Sequence, residues 1–316
     1  MAIDLRAEPE YGRLVKVFSD FQEELARRNS VEKELVRPTN GATGALGALL
    51  SATRIDDANK DKPPTALLAS LEYFDVFHML SLCGFKITTT QNRGILYPTK
   101  EVIKELETQP SIFYLSIPNN PTGNLLPQKE LEEILAHVGG TRVIIDCTLV
   151  HPEKYCSSGL QEKFGDKDIV LVNSFSKSLG LVRDRVGYFV SFQKATVDLI
   201  HPYVHAPHVR GMETVMGMLD EGQITAEIIR RNRESNEILQ RSKTRTDVTY
   251  HPSISNFALL ELSSISGEEC RQRLEKEGYI VKSGSQLHIP DKYIRIDMGQ
   301  PKTLPTFLKA LDKVFE

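Results

Sequence analysis

Ser174-Phe175-Ser176-Lys177-Ser178-Leu179-Gly180-Leu181, with Arg185 and Gly187-Tyr188 close behind, is the stretch on which the reading of this chain turns. It grows out of Ile169-Val170-Leu171-Val172-Asn173-Ser174, a β-branched and nearly continuous apolar run, the pattern of a strand buried on both faces. A lysine just past such a strand sits in the crevice beyond the carboxyl ends of a parallel sheet, where open α/β sheets bind ligands. Desolvation there favours a free amine that condenses with a carbonyl. Two hydroxyls and an arginine nearby suit a phosphate, which calls for charge-assisted donors. The other reading is an exposed turn whose serines cap a helix.

Outward from this point, apolar runs alternate with helix-period segments. Strands are expected at Thr65–Ser70, Phe85–Thr90, Ser111–Leu115, Arg142–Asp146, Asp168–Ser174 and Val186–Ser191, with helices at Glu72–Leu82, Lys100–Leu106 and Gln128–His137. That alternation predicts an α/β fold with a mostly parallel central sheet. A long polar helical pattern covers Met212 to Arg241. After it come a strand (Asn256–Glu261), a helix (Gly267–Glu277), short strands (Tyr279–Lys282 and Tyr293–Ile296) and a terminal helix from Leu304, a small α+β unit. The expected division is an N-terminal segment (1–30), a large domain with the connecting helix (31–240) and a small C-terminal domain (241–316).

Composition narrows the class. The 316 residues are 40% hydrophobic and 26% charged, enough apolar material for a sizeable core. The formal charge of −3 argues against nucleic-acid binding through bulk charge. Cys83, Cys147, Cys156 and Cys270 lie far apart and form no CxxC, so no disulfide framework or zinc knuckle is expected. Neither a secretory signal nor an apolar stretch long enough to span a bilayer is visible. These features point to a soluble, reduced, cytoplasmic protein without a membrane partner.

Three further pieces carry chemistry. Asn119-Asn120-Pro121-Thr122-Gly123 follows the strand SIFYLS and is rich in turn formers. Asp146 ends the strand RVIID, a place equally suited to a helix cap or a solvated loop. Asn40-Gly41-Ala42-Thr43-Gly44-Ala45-Leu46 is a small-residue turn opening a helix, whose free N–H groups and positive dipole end make an anion site. It matches neither G-x-G-x-x-G nor the P-loop, so dinucleotide or ATP binding is not expected.

In this order and at these separations the pieces resemble the fold-type I pyridoxal-phosphate enzymes, most of all the class I and II aminotransferases with the histidinol-phosphate aminotransferase-like group. The likeness runs from about Glu8 to the C-terminus. It implies pyridoxal 5'-phosphate as cofactor, with Lys177 forming the internal aldimine and shuttling the substrate's Cα proton. Asp146 would pair with the pyridine nitrogen, and Asn120, its bond to Pro121 cis, would donate to the phenolic oxygen. Ser174, Ser176, Arg185, Thr43 and the Ala42 N–H would hold the phosphate. Tyr73 of LEYF would stack on the ring, with Phe74 as fallback. Arg295 of YIRI would grip the substrate α-carboxylate and Asn256 of SNFALL would sit near it, although a strand arginine is also commonly just exposed. The resemblance further implies an amino donor, a keto-acid acceptor and a homodimer.

Departures from the family pattern leave a second outcome open. Leu149 stands where relatives carry a tyrosine bonded to the phenolic oxygen, and loss of that donor raises the pKa of the lysine-bound cofactor. His151 or Tyr155 are the nearby replacements. Arg183 replaces a frequent glycine. About forty residues precede the phosphate turn, fewer than in relatives, and the tyrosine that relatives lend across the dimer has no clear match beside Arg6 and Tyr11. Lyase, cyclase or oxidase chemistry on an amino acid, or a non-catalytic cofactor-binding homologue, are therefore the alternatives to transamination. His201, His205 and His208 have helix-face spacing, but Pro202 and Pro207 argue against a regular helix and no acid or thiol completes a set, so no metal is expected. Cys147 reads as a small buried hydrophobe.

Overall fold

The computed structural model describes residues 9–92, 94–149, 157–221, 223–241, 246–298 and 301–316. Among them, one sheet holds β1 (Val36–Asn40), β2 (Thr65–Ala69), β3 (Lys86–Thr90), β4 (Ile112–Ser116), β5 (Arg142–Asp146), β6 (Ile169–Ser174) and β7 (Val186–Ser191), in the order β1-β7-β6-β5-β4-β2-β3. Pairs from β3 to β6 are parallel, and β7 runs antiparallel to both its neighbours. The expected strands are all present with small shifts at their ends. β1 is an addition. Its Val36-Arg37-Pro38-Thr39-Asn40 lacks a strand-like pattern, and Pro38 is tolerated because β1 lies on the edge, with β7 as its one ladder partner.

Alternating side chains feed two apolar layers. Phe113, Leu115, Val143, Ile145 and Leu171 face one, while Ile112, Tyr114, Ile144, Val170 and Val172 face the other. The first is covered by α1 (Pro9–Asn29), α4 (Thr99–Leu106), α5 (Gln128–Ala136) and α9 (Val209–Glu221). The second is covered by α2 (Gly41–Asn59), α3 (Phe74–Leu82) and α8 (Lys194–Ile200). Each fully buried aliphatic or aromatic chain here contributes on the order of 1.5–3 kcal/mol. The N-terminal helix is part of this packing, since Phe21 and Leu25 are in the first layer.

The C-terminal unit has β8 (Val248–His251), β9 (Phe257–Leu262), β10 (Lys282–Ser283) and β11 (Tyr293–Asp297) in the antiparallel order β10-β11-β9-β8, with α11 (Gly267–Lys276) and α12 (Leu304–Val314). The expected strand at Tyr279–Lys282 is reduced to Lys282–Ser283, and Ile280 is 95% exposed. The expected long helix is α9 followed by α10 (Gln223–Arg241). Leu239 of α10 belongs to the core of the small sheet, and Ser235 donates to the Met298 carbonyl, so packing draws α10 toward the C-terminal unit. Two short helices complete the set, α6 (Ser157–Phe164) and α7 (Phe175–Ser178).

Candidate active site

At the carboxyl ends of β4, β5 and β6 a cavity of about 540 Å³ opens between the two units. Ala42, Thr43, Tyr73, Asn120, Asp146, Ser174, Ser176, Lys177, Arg185, Asn256 and Arg295 all line it, so the structure brings together the residues that the resemblance assigns to cofactor and substrate. A larger hollow of about 710 Å³ lies beyond the Asn119–Gly123 turn, lined by Leu96, Leu125 and Ile254 among others, and shares only Ser116 with the first. The chemistry-bearing side chains converge in the smaller one.

Lys177 sits in α7, a single turn capped by Ser174, whose Oγ accepts from the Ser176 N–H at 3.1 Å. Its side chain is exposed to the cavity, where the sequence predicted a desolvated amine. The difference arises because the crevice is open. Asp146, by contrast, is buried. Tyr114 OH donates to its Oδ2 at 2.9 Å and the Thr148 N–H to its Oδ1 at 2.9 Å. Burial pushes this carboxyl above its ordinary range while the Thr148 and Tyr114 bonds pull it back.

On the small-unit side, burial lowers the pKa of Arg295. Its Nη1 donates to Asn120 Oδ1 at 2.8 Å, and its guanidinium lies 4.8 Å from the Phe257 ring centre. With Oδ1 occupied, the Asn120 amide turns its NH2 as a donor toward other groups. The Asn120–Pro121 bond is cis, as expected, and so is Ile117–Pro118. Tyr73 OH bonds Asp75, and burial raises its phenol. Of the two aromatic candidates Tyr73 lines the cavity, while Phe74 stacks on His288, ring centres 3.6 Å apart. Asn256 also lines the cavity, its Oδ1 accepting from Ser255 Oγ at 3.3 Å.

The other end is made for an anion. The N-terminus of α2 opens at Gly41, and Arg185 Nη2 donates to Thr43 Oγ1 at 3.4 Å. Arg185 holds φ at 52°, an uncommon conformation for a non-glycine residue. Gly187 on β7 lets the turn approach, because a Cβ there would stand 2.6 Å from the Gly41 carbonyl carbon and 2.8 Å from the Ala42 nitrogen. Ser176 Oγ is buried without a hydrogen-bond partner among the described residues, and Ser176 lines the cavity. An orphaned hydroxyl in a cavity that also holds a helix N-terminus and a guanidinium fits a phosphate-bearing cofactor.

This arrangement agrees with a family model. Residues 15–311 match the model for aminotransferase class I and II. The chain belongs to that family, whose cofactor is pyridoxal 5'-phosphate. A histidinol-phosphate aminotransferase of Methanocaldococcus jannaschii is 25% identical over 220 residues, 68% of this chain and 58% of the relative. The chain thus spans less than two thirds of that relative's length. The crystal structure of the histidinol-phosphate aminotransferase from Clostridium acetobutylicum superposes with a TM-score of 0.78 at 18% identity, covering 98% of this chain and 90% of the other. An L-threonine-O-3-phosphate decarboxylase from Porphyromonas gingivalis gives 0.75 at 22%, with 96% and 94% covered. The family fold thus accommodates both kinds of named enzyme.

Residues absent from the sequence reading also shape the cavity. Tyr114 is one, and a hydroxyl inside a doubly buried strand was the available signal, since it must find a partner. Glu72 is another, 3% exposed, with Ser116 donating to it through both N–H and Oγ. An acid ahead of a helix reads as a solvated first turn, so nothing marked it. Leu149 lines the cavity as expected, and Arg183 is exposed and outside its lining. His151, Tyr155 and Arg6 lie outside the described residues. His201–Tyr203 forms a single 3-10 turn, in accord with the prolines.

Proposed function

We propose that this chain is a pyridoxal-phosphate-dependent aminotransferase acting on an α-amino acid or a closely related primary amine. The observation that carries the proposal is one cavity holding Lys177, a donor-pinned Asp146 and Arg295 bonded to Asn120. Bound cofactor supplies an electron-withdrawing ring that eases loss of a carbon-bound proton. Asp146 holds the ring nitrogen in its charged form, and its two donors keep the carboxylate oriented. Asn120, through the amide NH2 that Arg295 leaves free, donates to the phenolic oxygen. Tyr73 covers a ring face. Ser174, Ser176, Arg185, Thr43 and the Ala42 N–H bind the phosphate. Lys177 Nζ anchors the cofactor and then carries the proton to and from the substrate carbon. Arg295 grips the substrate carboxylate with its planar fork, and Asn256 sits beside it.

A homodimer is expected by family analogy alone. The free thiols Cys83, Cys147 and Cys270 suit the reducing cytoplasm. The test is amino-transfer assays across donors and keto acids, with product analysis by mass spectrometry. An aminated acceptor and a keto acid are the expected products. Release of carbon dioxide or an eliminated group, with no transfer to any acceptor, rejects transamination in favour of another branch. Lys177→Ala is expected to abolish both the yellow colour and turnover.

A further inference from the structure

Glu72 is a buried carboxyl for which the mechanism above has no use. It lies in the bend between β2 and α3, one residue before Tyr73. Both of its oxygens face the end of β4. The Ser116 N–H donates to Oε2 at 3.1 Å and to Oε1 at 3.2 Å, and Ser116 Oγ makes a short bond to Oε2. That same Oγ accepts from the Asn120 backbone N–H at 3.0 Å. A separate tie runs alongside, Asn119 Nδ2 donating to the Leu71 carbonyl at 2.8 Å. The two segments flanking the ring site, Leu71–Tyr73 and Asn119–Gly123, are therefore clamped together, with Glu72 at the centre. Sheet register puts Ser116 directly beside Asp146.

We infer that Glu72 is a positioning residue: through Ser116 it fixes Asn120 against the Tyr73 shelf, setting the donor to the cofactor's phenolic oxygen. The inference rests on the cofactor reading above. Desolvation, with Asp146 adding like charge, raises the Glu72 carboxyl well above its ordinary value and favours the neutral acid. Glutamine has the same shape and keeps one carbonyl oxygen, which at the Oε2 position accepts from both Ser116 N–H and Ser116 Oγ, so Glu72→Gln preserves the clamp. Glu72→Ala and Ser116→Ala each break it.

The experiment titrates the visible colour of the cofactor-loaded protein against pH in wild type and the three variants, alongside cofactor affinity and thermal unfolding. A donor to the phenolate stabilises the deprotonated form. Its misplacement in Glu72→Ala and Ser116→Ala raises the colour midpoint by about one pH unit, while Glu72→Gln keeps the wild-type midpoint. An unchanged midpoint in Glu72→Ala with lowered thermal stability reduces Glu72 to a structural role and overturns the inference. Should Glu72→Ala fail to fold, Ser116→Ala decides alone, and an unshifted midpoint there is equally fatal. A colourless wild type rejects the cofactor reading itself, a result distinct from either.

Discussion

Tyr114→Phe removes one oxygen from a side chain that is fully buried in the sheet, and leaves a ring of the same shape behind. The lost atom is the donor 2.9 Å from Asp146 Oδ2. A hydrogen bond to a charged group contributes about 1.5–3 kcal/mol. At 1.36 kcal/mol per unit, the Asp146 carboxyl moves up by about one to two pH units in the variant. Cofactor binding depends on the anion, so the acid limb of cofactor affinity should move up by the same interval. At a fixed pH below that limb, affinity drops about tenfold per unit.

The stability of the cofactor-free protein carries its own sign. Burial already raises Asp146 in the folded state above its ordinary 3.8, so folding binds extra protons and stability falls as pH rises through that window. Tyr114→Phe raises the top of the window and deepens the loss at neutral pH, on the order of 5 °C in melting temperature. Below pH 3.8 both forms are protonated, and the difference shrinks to a neutral bond of about 1 kcal/mol. Cofactor titration by absorbance and thermal melts from acid to neutral pH read both quantities. An acid limb that stays in place while the protein melts lower would refute the reasoning.

Three other outcomes follow from the geometry. Gly187→Ala sets a Cβ against the backbone of Gly41 and Ala42, which has no room to give, so it should cost about 1–3 kcal/mol and weaken cofactor affinity at least tenfold; normal affinity by fluorescence titration counts against the phosphate assignment. Arg295→Lys loses the planar fork and the bond to Asn120, raising KM for the amino substrate about tenfold or more while the protein stays coloured; an unchanged KM removes Arg295 from substrate binding. Leu149→Tyr returns a hydroxyl to the cavity and should lower the colour midpoint by about one pH unit, and a midpoint that does not fall shows the ring out of its reach.

The buried strands announced themselves by continuous apolar runs, and Lys177 by its place at the end of one; Asp146 and Asn120 were joined to it only through the resemblance to a known family, since each alone reads as a cap or a turn. Segments stabilised by distant partners were illegible. β1 holds Pro38 and owes its strand state to pairing with β7 about 150 residues later. β8 is four residues whose partner is β9. Helix α3 begins at Phe74, two residues after the expected Glu72, because Glu72 turns inward to Ser116 instead of opening the helix. The bond between Tyr114 and Asp146 crosses neighbouring strands, a relation that only the register makes visible.

The edge position of β1 bears on how the protein is made. The anion-binding turn is continuous with β1, the first strand among the described residues, yet its ladder neighbour there is β7. Closing so large a loop is slow and entropically costly, so this pairing belongs late in folding. A nascent chain lacking β7 has no complete cradle, whatever helices it has already formed. Vitamin uptake during synthesis would therefore report completion of the whole large sheet, which arrested chains of increasing length make measurable.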